Sequence, residues 1–79
     1  MSSCEPEEGY GVALFRSVQG ALGAERLLLA AGIAHKLIPV PRHISSNCGF
    51  CVRFAWADRD RVEHALAVAD LGTERVMRL

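Results

Sequence analysis

The sequence predicts a single α+β domain with four strands and two helices in the order β-α-β-β-α-β. The chain has 79 residues, which is enough for one hydrophobic core but not for two. Hydrophobic residues make up 51% of it and charged residues 23%, a composition typical of a folded globular domain. Apolar runs and helical periodicities alternate along the chain between glycine, proline and capping residues, and these signals give the element order.

The first half of the chain predicts a strand, a helix and a second strand. Residues 9–16 predict a strand, and their continuous apolarity up to Arg16 is typical of a central strand buried on both faces. Ser17 can cap a helix over residues 18–31, which the following glycine is expected to stop. Glu25 falls within the apolar stripe of this helix, and we expect its carboxylate to reach the rim or a neighbouring arginine. Residues 35–40 end at prolines and predict a strand near a sheet edge.

The second half predicts a loop, a strand, a helix and a last strand. Residues 41–50 combine turn formers with basic groups and a thiol, and a loop with such chemistry is where function tends to lie. Residues 51–56 alternate as a strand does. Asp58 is the expected N-cap of the second helix, Gly72 is its expected stop, and residues 73–79 form the last strand.

This element order in a short chain is typical of the ferredoxin-like fold, in which four antiparallel strands carry two helices on one face. We expect residues 1–8 to be a disordered leader and residues 9–79 to be the single domain. Right-handed crossovers place the loop of residues 41–50 at the end of the sheet where the first helix begins.

The sheet face opposite the helices is left without a cover in this arrangement. The residues expected on it are Ala13, Phe15, Leu37 and Met77. An exposed apolar face of this kind is typical of an interface, so we expect the chain to form a homo-oligomer.

Composition excludes several classes of function. Nine basic and nine acidic residues cancel, and the few basic residues have no platform of aromatic side chains, so no nucleic-acid partner is expected. The longest apolar run, residues 27–34, is too short to span a membrane. Three cysteines cannot all pair within the chain, and the first residues lack a signal-peptide pattern, so we expect a cytoplasmic protein.

The charges are segregated along the chain. No aspartate or glutamate occurs between Glu25 and Asp58, and Cys48 lies within this stretch. The positive groups expected near Cys48 are Arg16, Arg42, His43 and the amides at the start of the first helix. Such surroundings favour a thiolate over a thiol, so Cys48 is the candidate reactive cysteine.

The sharpest local motif is Cys48-Gly49-Phe50-Cys51, whose spacing occurs in zinc sites, redox dithiols and copper carriers. A zinc site would need further ligands, and no histidine or cysteine stands at a suitable spacing. A redox dithiol normally precedes a helix, whereas Cys51 opens a strand. Copper-carrying domains of this fold have the motif in the first strand-to-helix loop, which here contains no cysteine. Cys51 also suits a buried structural position.

A longer stretch resembles the signature of a known family, described as putative selenium/sulfur carrier protein-like, domain of unknown function 3343. The matching residues are Ile38-Pro39-Val40-Pro41-Arg42-His43-Ile44-Ser45-Ser46-Asn47-Cys48-Gly49, followed by Arg53-Phe54. The resemblance extends over residues 9–79 and implies a carrier, rather than a stand-alone enzyme, with sulfur or selenium held on Cys48 as a persulfide or perselenide. Its usual pattern has a small apolar residue in place of Cys51.

The residues around Cys48 suit that role. The groups available to hold an anionic adduct are Arg42, Ser45, Ser46 and Gly49 in the loop and Arg16 and Ser17 at the start of the first helix. Cys51 can resolve a persulfide by forming a disulfide with Cys48. The expected partners are a donor such as a cysteine desulfurase and an acceptor protein, with no metal and no cofactor besides the carried atom. The alternatives are a regulatory module that binds an anion or a small metabolite, and a redox or metal-binding module based on Cys48 and Cys51.

The charge pattern predicts that Cys48 has a pKa below the ordinary thiol value of about 8.5 and reacts faster than Cys4 or Cys51. Alkylation rates measured against pH and resolved by peptide test this. Equal rates for Cys48 and Cys4 at neutral pH would show that Cys48 is not activated.

Overall fold

The computed structural model describes residues 8–44 and 49–79 and contains in them the expected elements in the expected order. They are β1 (Tyr10–Phe15), α1 (Val18–Ala30), β2 (His35–Pro39), β3 (Phe50–Ala55), a 3₁₀ turn (Trp56–Asp58), α2 (Arg59–Ala69) and β4 (Thr73–Arg78). The strand boundaries lie within one residue of the predicted ones, and β3 ends before Trp56 because that residue begins the 3₁₀ turn. Residues 1–7 of the expected leader lie outside the described part.

The four strands form one antiparallel sheet in the order β2-β3-β1-β4. β1 is central, because it pairs with β3 on one side and with β4 on the other. Leu14 of β1, for example, lies opposite Cys51 in β3 and opposite Arg75 in β4. This α+β arrangement with two helices confirms the predicted fold class and its ferredoxin-like topology.

Both helices pack on one face of the sheet and form the main core with it. The strands contribute Ala13, Phe15, Val52 and Phe54 to this core, and the helices contribute Ala21, Ala24, Leu28, Val62 and Leu66. Burial of these apolar side chains supplies the main favourable free energy of folding. The helices therefore fix which face of each strand is turned inward.

The opposite face of the sheet is also buried at its centre. Val12 and Leu14 of β1 and Cys51 of β3 are fully buried there and form a second apolar cluster with Ile44. Ile44 belongs to the connection between β2 and β3, so this connection folds over the sheet face.

The predicted composition of the uncovered face is wrong at three of its four positions. Ala13, Phe15 and Leu37 pack beneath the helices, and Met77 alone of the four packs on the opposite face. β1 is apolar at almost every position, so its sequence lacks the alternation that would assign its two faces. Because the centre of the opposite face is buried within one chain, the apolar interface expected to drive self-association is not exposed there.

Helix α1 begins with a side-chain cap and lies close to the connection between α2 and β4. The hydroxyl oxygen of Ser17 accepts a hydrogen bond from the N–H of Gly20 at 3.4 Å, as predicted for an N-cap. A Cβ atom at Gly20 would overlap the carbonyl oxygen of Leu71, and one at Gly23 would lie 2.9 Å from Cδ2 of Leu71. Glycine at these positions allows the helix to approach this connection closely.

The two ends of α2 differ in detail from the prediction. Asp58 occupies the N-cap position, but within the described residues its side chain makes no capping hydrogen bond, and its carboxylate lies 3.5 Å from Nη1 of Arg61. The helix ends at Ala69, three residues before the predicted stop at Gly72, because Asp70 already adopts a left-handed conformation with φ of 50°.

The two glycines of α1 provide a matched test of the close helix packing. We expect Gly20→Ala to lower the free energy of unfolding by about 1–3 kcal/mol, because the new methyl group would meet a backbone oxygen. Gly23→Ala meets the flexible end of Leu71 and gains helix propensity, so we expect between no change and about 1 kcal/mol of stabilisation. Urea unfolding measures both values. Equal effects of the two substitutions would contradict the close approach to the Leu71 carbonyl.

Candidate functional site

The connection between β2 and β3 lies at the end of the sheet where α1 begins. The last residue of β2 pairs with the first residue of β3, and β3 starts beside the last residues of β1. The N–H of Val40 donates to the carbonyl of Gly49 at 3.0 Å and closes residues 41–48 into a loop. The ends of this loop and the N-cap Ser17 therefore share one end of the sheet, as predicted.

Three of the predicted site residues, Ser45, Ser46 and Cys48, lie outside the described residues, and their roles stay predictions. The described residues that flank this segment are Ile44, which is buried, and Gly49, which is exposed. Cys48 directly precedes Gly49 in the sequence. The described residue next to the candidate thiol is therefore Gly49, which lies at the base of the loop, one residue before β3.

Arg42 lies in a turn at the other side of the loop. The N–H of Ile44 donates to the carbonyl of Pro41 at 3.0 Å, which makes Arg42 and His43 the central residues of a β-turn. Both of these side chains are exposed. Their positive or titratable groups are thus accessible to an anion at this end of the sheet.

Arg16 and Ser17 join β1 to α1 at the same end, and both are exposed. The N–H of Arg16 donates to the carbonyl of Gly72 at 2.9 Å, which fixes the backbone at this point. The hydroxyl of Ser17 already accepts the capping hydrogen bond of the helix. Ser17 would therefore act on an adduct indirectly, by fixing the position of the helix N-terminus. That terminus carries about half a positive charge, and the Arg16 side chain adds a full one beside it.

Two carboxylates that were not expected near the loop also lie at this end. Asp70 follows α2 and Glu74 is in β4, which begins where Thr73 pairs with Phe15 at the end of β1. The sequence did not predict their position, because they are far from the loop along the chain, which returns to this end of the sheet only after α2. β4 and β3 lie on opposite sides of β1, so these carboxylates start about 10 Å from the base of the loop.

Cys51 lies in the interior of the sheet face opposite the helices. Its side chain is 0% exposed, and its register partners on the neighbouring strands are Leu14 and Ile38. Ile44, only 7% exposed, packs into the same apolar cluster from the loop. A thiol buried in apolar surroundings resists ionisation. Reaction at Cys51, including the predicted resolving step, therefore requires this cover to move first.

Ile44 is the residue of this region that the sequence analysis missed. It is the one branched apolar side chain in residues 41–48, which are otherwise polar, small or cyclic. That contrast was the available signal, because an isolated apolar residue in a polar loop is a candidate anchor. The burial of Ile44 anchors the loop to the sheet directly after the exposed residues Arg42 and His43.

Other titratable groups of the described part give no further centre. Residues 8–44 and 49–79 contain no group of three or more histidine, cysteine, aspartate or glutamate side chains placed to hold a metal ion. Glu25 is half-buried on α1, consistent with a position at the rim, and no ion pair is found for it in these residues. None of the described helices is long and apolar enough to cross a membrane.

The fold and the site define a small ferredoxin-like domain whose candidate chemistry is on the connection between β2 and β3. The model of the family described as "Putative Se/S carrier protein-like" matches residues 10–78, and the chain belongs to this family. The match runs from β1 to β4, includes the loop, and confirms the resemblance seen in the signature residues. It supports a carrier role in outline, with donor and acceptor proteins as partners in general. No curated protein and no solved structure matches the chain.

The burial of Cys51 can be tested in a protein that has it as the sole cysteine, with Cys4→Ser and Cys48→Ser. We expect slow alkylation of the native protein, and an increase of about tenfold or more on Ile44→Ala, because the shortened side chain loosens the cover. Leu29→Ala shortens a side chain that is 73% exposed and should leave the rate within about twofold. Fast alkylation with Ile44 intact would contradict the buried position.

Proposed function

We propose that the protein carries one sulfur or selenium atom on Cys48, as a persulfide or perselenide, and passes it from a donor protein to an acceptor protein. The observation that carries this proposal is membership of the Se/S carrier-like family over residues 10–78. The placement of the loop supports it, because Gly49 at its base is exposed and shares an end of the sheet with Arg16, Arg42 and the start of α1.

Loading is an exchange between a thiolate and a persulfide. The Cys48 thiolate attacks the outer sulfur of a donor persulfide, forming a new S–S bond on Cys48. The S–S bond of the donor breaks, and the inner sulfur of the donor leaves as a thiolate. The transferred sulfur keeps its oxidation state, so no other oxidant or reductant is needed. A cysteine desulfurase holds a persulfide of this kind, and the same scheme serves a selenium atom bound to a donor thiol.

Delivery reverses these roles. A nucleophile of the acceptor attacks the outer atom, and Cys48 leaves as a thiolate. The loaded group is anionic, so exposed Arg42, exposed Arg16 and the hydroxyls of Ser45 and Ser46 would favour it. A Cβ atom at Gly49 would lie more than 4 Å from every atom of the described residues beyond its chain neighbours, so these residues leave room for a partner to approach.

The burial of Cys51 argues against the dithiol alternative. Exchange between Cys48 and Cys51 needs both sulfur atoms to meet, and Cys51 is fully buried in the sheet. A carrier with one working thiol has no such requirement. Replacement of Cys48 by serine distinguishes the carrier from a regulatory anion-binding module. The regulatory module would retain its ligand, whereas the carrier would lose the carried atom.

Incubation with a cysteine desulfurase and isotopically labelled cysteine tests the proposal. We expect the protein to gain the mass of one sulfur atom on the peptide that contains Cys48, and reductant to remove it. Selenocysteine in place of cysteine should load one selenium atom in the same way. Cys48→Ser should take up neither atom while keeping the circular dichroism spectrum and the unfolding midpoint of the parent.

Cys51→Ser is the matched control and should load to the same extent as the parent. A longer lifetime of the adduct in this variant would assign Cys51 the resolving role, in which its thiolate displaces sulfide and forms a disulfide with Cys48. Loading that persists in Cys48→Ser, or stoichiometric zinc or copper in the purified protein, would contradict the carrier assignment.

A further inference from the structure

We propose that Lys36 and Arg53 form a second site, which binds a phosphate-type dianion at the other end of the sheet. β2 begins beside this site and ends at the loop that leads to Cys48, so the two sites lie at opposite ends of the strand. The proposal does not rest on the carrier function.

The first observation is an uncompensated pair of positive charges. Lys36 and Arg53 lie directly opposite each other in the antiparallel register of β2 and β3. Opposed residues of such a pair point to the same face of the sheet, and like charges in this position are unfavourable. In residues 8–44 and 49–79 neither side chain forms an ion pair with a carboxylate. By contrast, Arg59 and Arg61 form salt bridges with carboxylates that lie within residues 58–63.

The second observation is a hollow beside this pair, open to solvent, with a volume of about 330 Å³. Seven described residues line it, and none of the seven is acidic. The Arg53 guanidinium carbon lies 4.2 Å from the centre of the Tyr10 ring, a cation–π contact that orients this side chain. The His35 ring is fixed by its Nδ1–H, which donates to the carbonyl of Ile33 at 2.8 Å. These contacts order part of the wall in advance, which lowers the entropy cost of binding.

The charge of the pair selects the class of ligand. A phosphoryl group carries about −1.5 to −2 at neutral pH, whereas a single carboxylate carries one charge. Arg53 offers a planar fork of N–H donors suited to two phosphate oxygens, and Lys36 adds a point charge. A phosphoryl dianion therefore neutralises both positive charges. A monocarboxylate would neutralise only one, and part of the repulsion between Lys36 and Arg53 would remain. The volume lies in the range of small-molecule sites, so both inorganic phosphate and a small organic phosphate ester fit.

Titration of the nitrogen-15-labelled full chain with inorganic phosphate tests the site by NMR, with ionic strength held constant by sodium chloride. We expect saturable shifts of the backbone amides of residues 34–36 and 53–55, with half-saturation at about 1–10 mM. Acetate at the same concentrations should produce no saturable shift, and saturation by acetate would overturn the choice of a dianion. Tighter binding of phenyl phosphate than of inorganic phosphate would assign the ligand as an ester, and equal binding would assign it as the free ion.

Variants separate this site from a general effect of salt. Lys36→Gln and Arg53→Gln should each weaken binding by about tenfold, the effect of losing one charged hydrogen bond. Arg26→Gln removes an exposed cation of α1, and Cys48→Ser removes the candidate carrier thiol; both should retain the affinity of the parent within about twofold.

Lys36→Gln decides the result even if Arg53→Gln is poorly folded. Because it removes a repulsive charge, its melting temperature without phosphate should be no lower than that of the parent. A lower melting temperature would assign Lys36 a structural role and overturn the proposal. Shifts that grow without saturation, or that persist unchanged in Lys36→Gln, would also overturn it, because they would show only an effect of bulk ions.

Discussion

The pairing of β1 with strands on both of its sides is the constraint on which the rest of this structure depends. Its register with β3 turns Ala13 and Phe15 toward the helices and Val12 and Leu14 toward the opposite face. A shift of one residue would exchange these two sets and leave Phe15 without the helix core. The same register puts the start of β3 beside the end of β1, and so brings the β2–β3 loop to the start of α1.

Local signals in the sequence were sufficient to predict the strands, the helices and their order. A serine cap, glycine stops and prolines act over a few residues, so a single sequence reveals them. The faces of β1 could not be predicted, because a strand that is apolar on both sides has no alternation. The cover provided by Ile44 and the return of Asp70 and Glu74 to the loop end depend on tertiary folding, which no local pattern records.

The spacing of Cys48 and Cys51 suggests a pair of equivalent thiols, but the fold gives Cys51 a structural position in a strand. Two residues separate them in the sequence, but β3 begins between them, at Phe50. Cys51 is therefore a strand residue that contributes to an apolar cluster, as a small hydrophobic side chain would. The buried position of Cys51 follows from where β3 starts.

The outer strands of the sheet influence how these molecules behave at high concentration. β2 and β4 are the outer strands of the sheet, and outer strands can template pairing with another chain. Pro39 lacks an N–H on β2, and Lys36 adds charge to the same strand. β4 includes three charged residues, Glu74, Arg75 and Arg78, among its six positions. Both edges thus resist addition of a further strand, which protects a small, partly covered sheet against growth into aggregates.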